Sequence, residues 1–191
     1  MIMAMTKMLE IHDTYTNNHS KSVAEIAAKI AEQMDISKER IKEIYWAGIV
    51  HDIGKTIIPS EIINKNGKLT DEEFEIIKKH PIWGYEALKN SEELKDIANY
   101  VRYHHERWDG KGYPDGLKGE DIPLIAQILT VADTWNAMTS NRSYRKALPK
   151  EVAKEEILKN KGSQFSPNVV DAFIEQLENI EPKYNLGGLN A

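Results

Sequence analysis

Five of the six histidines fall where helical spacing turns them toward the protein's own core rather than toward water. His19 lies four residues before Val23, His51 three after Gly48, and His80 three after Ile77. His104 and His105 follow Val101 by three and four. A single inward histidine is commonly just a satisfied core residue. Five together are another matter, because each buried ring needs partners for two nitrogens, and one metal ion satisfies several rings at once. Aspartates accompany them: Asp52 directly follows His51, and Asp133 shares a stripe with Leu129 and Asn136. Aspartate is seldom buried unless paired or bound to metal. His19, His51, Asp52, His80, His104, His105 and Asp133 are more ligands than one tetrahedral ion needs. Two ions sharing a carboxylate use them all, with Asp52 as the natural bridge. Such two-metal sites, with ions about 3.5–4 Å apart, suit hydrolysis of phosphate esters. His12 has no such setting and is expected at the surface.

The elements that must carry these residues are helical. Val23, Ile26, Ala27, Ile30, Ala31 and Met34 draw one apolar stripe. Ser37 is placed to cap a second helix through Ile41, Ile44, Tyr45 and Gly48. Thr70 and Glu73 form a capping box, opening a helix that carries Phe74 and Ile77. Ser91 is placed to cap another, with Leu94, Ile97, Ala98 and Val101 facing inward. Residues 107–119 hold four glycines and Pro114, which predicts a structured loop. Helix resumes near Pro123 and runs past Asp133. Pro149 and Pro167 sit where a first helical turn tolerates proline, with Ser166 as the cap of the last helix. Trp83, Trp108 and Trp135 read as packing residues. With no repeat and no convincing strand, the fold class is all-α.

Composition narrows the chemistry. The chain has 191 residues, one ordinary domain, and a formal net charge of −5, which argues against a nucleic-acid groove. It has no cysteine, so any metal is held by nitrogen and oxygen. Imidazoles and carboxylates accept iron, manganese, cobalt, nickel or zinc, with availability often deciding among them; iron or manganese is the expectation here. No apolar run approaches the roughly 20 residues that span a bilayer, and a cytoplasmic protein is expected.

The ordered motifs resemble the HD-GYP subgroup of the HD-domain metal-dependent phosphohydrolases, from about Asp13 to Phe173. Tyr15 to Ser20 is similar to the family's opening histidine motif. His51-Asp52-Ile53-Gly54-Lys55 is its HD signature, and His80-Pro81 with Gly84 the next element. His104-His105-Glu106 and Asp109-Gly110-Lys111-Gly112-Tyr113-Pro114 give the subgroup its name; Val131-Ala132-Asp133 and Asn141 to Arg145 follow. The resemblance implies a helical bundle of the HD type with a C-terminal helical extension. Residues 1–12 are then a lead-in, 13–180 the catalytic domain and 181–191 a tail.

The resemblance also implies hydrolysis of cyclic di-GMP to linear pGpG, sometimes onward to GMP. His19, His51, Asp52 and Asp133 are then expected to hold one divalent ion. His80, His104, His105 and the shared Asp52 hold the other, and a water between the two ions is the nucleophile. Lys55, one turn beyond His51, is expected to bind phosphate or protonate the leaving oxygen; a solvated lysine is the plain alternative. Arg142 and Arg145 are expected to grip phosphate, or to form an ordinary basic turn. Glu106 either orients a ligand histidine or is a surface acid. Tyr113 is a candidate to stack on a guanine, and its loop is a structural turn, a substrate rim or a docking surface for a partner.

Some positions depart from the family pattern. Tyr15 stands where members with three metals carry glutamate, which favours two ions. Asn136 stands where aspartate is frequent, leaving a supporting or substrate contact there in doubt, and Gln127 replaces a common arginine. Ser166 replaces an aspartate without expected consequence. The alternatives are another cyclic dinucleotide such as cyclic GMP-AMP, a nucleotide phosphohydrolase, or a module that senses the dinucleotide without cutting it. Family members usually carry a receiver or other sensor domain. The expectation here is a catalytic domain cut from such a protein, or one regulated by a separate partner.

Overall fold

The computed structural model describes residues 19–65, 67–141 and 146–180. Nine α-helices run through them: α1 (His19–Gln33), α2 (Lys38–Val50), α3 (Ser60–Ile63), α4 (Asp71–Ile77), α5 (His80–Leu88), α6 (Lys95–Tyr103), α7 (Leu124–Thr139), α8 (Lys150–Lys159) and α9 (Pro167–Ile180). There is no strand among the described residues, only an isolated bridge between Lys161 and Phe165. No helix among them is long and apolar enough to cross a membrane.

The apolar stripe of α1 is buried as its spacing requires, with Val23, Ala24, Ala27, Ile30 and Ala31 fully inaccessible. α1 lies tightly on α2 because a Cβ at Gly48 would come within 2.6 Å of the Ala24 Cα. α7 is the central rod. Residues 125–132 are buried on every face, which marks a helix surrounded by others rather than lying on a surface. α1, α2, α6, α8 and α9 pack around it. α9 closes the bundle, with the Phe173 ring edge-on to Trp135 at 5.0 Å.

Two elements differ from the expectation. α2 ends at Val50, and Lys55 belongs to a separate 3-10 turn, Ile53–Ile57. His51 and Lys55 therefore do not share one continuous helical face. Ser91 precedes a short 3-10 turn, Glu92–Leu94, and makes no side-chain cap; α6 starts only at Lys95. The capping box forms as predicted, with Thr70 Oγ1 accepting from Glu73 N–H at 3.2 Å and Glu73 Oε2 from Thr70 N–H at 2.7 Å. His12, Tyr15, Arg142, Arg145 and the tail lie outside the described residues.

Candidate metal centre and its cleft

The seven residues singled out by spacing meet at one place. His19 opens α1, His51 and Asp52 form the turn after α2, and His80 opens α5. His104 and His105 follow α6, and Asp133 lies on α7. They converge as two groups. The ligand atoms of Asp52, His80, His104 and His105 lie within 4.8 Å of one another, as do those of His19, His51 and Asp133. Asp52 stands between them. Its Oδ1 is 3.3 Å from His80 Nε2. Its Oδ2 is 3.3 Å from His51 Nε2 and 3.9 Å from His19 Nε2.

Hydrogen bonds behind the rings determine which nitrogen faces the centre. Nδ1 of His51, His80 and His104 donates to the carbonyl three residues earlier, Gly48, Ile77 and Val101, at 2.6–2.7 Å. A carbonyl only accepts, so in the neutral rings Nε2 is left as a bare lone pair. His19 follows the same rule through Asn136, whose Oδ1 accepts from Nδ1 at 2.7 Å. The consequence is an electron-rich cavity. His80 Nε2 and His104 Nε2 face each other at 3.4 Å with no hydrogen to share, and His51 Nε2 is buried without a hydrogen bond. Lone pairs aimed at one another inside a protein are stabilised by a cation between them, and this donor set of imidazoles and carboxylates fits divalent metal ions.

The ionisation states agree with that fit. Burial holds His104 well below its ordinary value, with neighbouring imidazoles adding to it. Burial first and His80 second hold His105 down at about 3. His80 is lowered by burial against the pull of Asp52. His51 is the exception: burial depresses it, but Asp52 and Asp133 together raise it above the ordinary value. Burial works against ionised Asp52, yet His51 and Lys55 outweigh it and hold the carboxyl well below its usual range. Asp133 is lowered likewise, its hydrogen bond to His19 overcoming burial. Neutral imidazoles and ionised carboxylates are the forms that bind metal.

Backbone geometry brings the two groups together. Asp52 has φ −96° and ψ 6°, the sparsely populated bridge region frequent at active sites. The turn that follows presses on the start of α5. A Cβ at Gly54 would collide with the His80 carbonyl oxygen and lie 2.6 Å from Gly84 N, so this close approach needs glycine. His80 and Asp52 are adjacent because of it.

Lys55 Nζ donates to Asp52 Oδ2 at 2.6 Å. The expectation for Glu106 is corrected. The carboxylate is buried, but Oε1 accepts the N–H groups of Asp115 at 2.7 Å and Gly116 at 3.0 Å, while Oε2 makes no hydrogen bond to a ligand histidine or any other group. It holds the loop that contains the cis Tyr113–Pro114 bond. That loop lays the Tyr113 ring on His105, with centroids 4.9 Å apart. Sequence reasoning missed Thr130, whose hydroxyl lies 2.7 Å from the His104 carbonyl and ties that histidine to α7. Its position three residues before Asp133 was the available signal.

Among the described residues, two cavities flank the centre. One, of about 760 Å³, is lined by His19, Asp52 and Lys55 together with Ile58, Ile62 and Leu69. The other, of about 710 Å³, reaches His80, His104, His105 and Asp133 and carries Lys78, Arg107 and Lys111 at its wall. Phe74 and Ile77 line both.

The HD-domain family profile matches residues 3–169. The cyclic di-GMP phosphodiesterase of Thermotoga maritima is 42% identical over 182 residues, covering 94% of this chain and 50% of the relative. The cyclic di-GMP phosphodiesterase response regulator RpfG of Xanthomonas campestris pv. campestris is 39% identical over 181 residues, 92% of this chain and 48% of that protein. The chain thus spans about half the length of these relatives. A solved cyclic GMP-AMP-specific phosphodiesterase of Vibrio cholerae superposes with a TM-score of 0.71 at 18% identity, over 94% of this chain and 48% of that one, which shows a shared fold. With the match over most of its length and the cluster in place, the chain belongs to the HD-domain family, in its HD-GYP subgroup.

Proposed function

We propose that this protein is a phosphodiesterase that hydrolyses cyclic di-GMP to linear pGpG or onward to GMP. The observation that carries the reading is the placement of Asp52, one oxygen toward His80 and the other toward His51 and His19. His19, His51, Asp52 and Asp133 would hold one divalent cation; Asp52, His80, His104 and His105 would hold a second, with iron or manganese the first candidates. When bound, such a pair of ions supplies a water of lowered pKa and neutralises charge on the phosphoryl oxygens.

The chain's own groups do the positioning. Three backbone carbonyls and the Asn136 side-chain oxygen behind the rings keep four Nε2 lone pairs aimed inward. Lys55, 2.6 Å from Asp52, brings a positive charge to the cavity wall, where it meets the substrate phosphate and can pass a proton to the leaving 3′ oxygen. Arg142 and Arg145 belong to the same task, as guanidinium forks for phosphate. The two cavities match a substrate with a nucleoside on either side of the bond to be cut. A nucleotide substrate supports a cytoplasmic setting for the reaction.

The test incubates metal-reconstituted protein with cyclic di-GMP and with cyclic GMP-AMP, beside Asp52→Ala. Formation of pGpG or GMP by the intact protein alone supports the reading. Cleavage of cyclic GMP-AMP only would reassign the substrate. Tight binding of either without cleavage would make the protein a sensor.

A further inference from the structure

α4 is an unusual piece of the molecule. It has seven residues, too few to be stable alone, and buries none of them. Its start is instead stitched by polar contacts, the capping box and the ion pair of Lys65 with Glu73 at 2.6 Å. The stitched helix presents Phe74 to solvent, 48% exposed. Phe74 is one of several large hydrophobic side chains left exposed, so its position rather than its exposure sets it apart.

Its location gives it a use. Phe74 lines both cavities beside the metal centre. On one side it faces the apolar chamber with Ile58, Ile62 and Leu69. On the other, Lys78 Nζ lies 6.0 Å from its ring centroid and 5.7 Å from that of Tyr113. Tyr113 itself has one face occupied by His105, which leaves it at most one face for a base. Phe74 has open ring surface within the same cleft.

We infer that Phe74 is a substrate-binding residue, on whose ring a purine of the cyclic dinucleotide stacks as it enters the apolar chamber. This rests on the phosphodiesterase reading and deepens it. Stacking tolerates any purine, because every base has a π-face. Phe74 therefore contributes affinity for the dinucleotide class, and guanine is told from adenine elsewhere in the cleft.

The experiment compares Phe74→Ala, Phe74→Leu and Phe74→Trp with the intact protein, each reconstituted with manganese, by steady-state kinetics on cyclic di-GMP and by metal content. Phe74→Ala is expected to raise KM by about 5- to 150-fold, the affinity equivalent of one stacked base, with kcat changed far less. Phe74→Trp is expected to restore KM and Phe74→Leu not to, since leucine supplies apolar area without a ring. An unchanged KM in Phe74→Ala would overturn the inference, as would full rescue by leucine. Loss of metal in Phe74→Ala would overturn it too, by assigning the residue to holding the centre. If the intact protein cuts no cyclic dinucleotide, the phosphodiesterase reading fails first and takes this one with it.

Discussion

Replacing Gly54 by alanine tests how the two halves of the centre are brought together. The added Cβ would meet the His80 carbonyl oxygen and lie 2.6 Å from Gly84 N, both of them backbone atoms that cannot rotate away. An ordinary carbon–nitrogen contact is close to 3.4 Å, so the turn has to withdraw from α5 by on the order of 1 Å. Overpacking of this kind costs about 1–3 kcal/mol. For a domain of this size each kcal/mol lowers Tm by about 2–4 °C, giving a drop of roughly 2–12 °C with the fold retained. The same withdrawal opens the 3.3 Å approach of Asp52 Oδ1 to His80 Nε2. A 1 Å misplacement of reacting groups costs on the order of 100-fold in rate. Thermal denaturation, metal content and turnover of cyclic di-GMP are measured on the same preparation. A variant with unchanged Tm, full metal and normal turnover would refute the argument that this contact aligns the site.

Asn136→Ala removes the acceptor of His19 Nδ1; metal affinity at the His19 group is expected to fall about 10- to 100-fold, measured by competition with a chelator, and Asn136→Asp is expected to keep it. Glu106→Ala leaves the Asp115 and Gly116 N–H groups without their acceptor, a loss of about 1–3 kcal/mol read in urea denaturation, while Glu106→Gln keeps an acceptor and most of the stability. Metal-free protein is expected to lose stability as pH falls below about 6.5. Unfolded imidazoles take up protons there, whereas folded His104, His105 and His80 do not until lower pH, about 3 for His105. His51, raised rather than lowered, works the other way. Each net imidazole steepens the fall by at most about 1.4 kcal/mol per pH unit, and equal urea midpoints at pH 7.5 and 5.5 would contradict this.

Much of the centre was legible because helical spacing is a local property. The stripe from Val23 to Met34 predicts which way His19 points, and Val101 does the same for His104 and His105. The capping box of Thr70 and Glu73 was legible for the same reason, since its partners are three residues apart. What was not legible is pairing across the fold. Asn136 reads as a departure from a pattern, yet it meets His19 across 117 residues. Glu106 reads as support for a histidine or as a surface acid, but the loop folds back to present two backbone N–H groups to it. Lys55 reads as one turn beyond His51, but α2 ends at Val50, and the turn that Gly54 permits depends on α5 arriving against it. Phe74 reads only as a residue that the capped helix carries beside Ile77, and the position of α4 beside the cleft shows its ring to be open.

The proposed chemistry depends on two metal ions sharing Asp52, and electron paramagnetic resonance of manganese-loaded protein tests that sharing. The prediction is close to two manganese ions per chain with an exchange-coupled spectrum. In Asp52→Ala the coupling is lost and the metal content falls. A spectrum of isolated, uncoupled ions in the intact protein, or binding unaffected by removal of Asp52, would contradict the shared bridge on which the proposed chemistry depends.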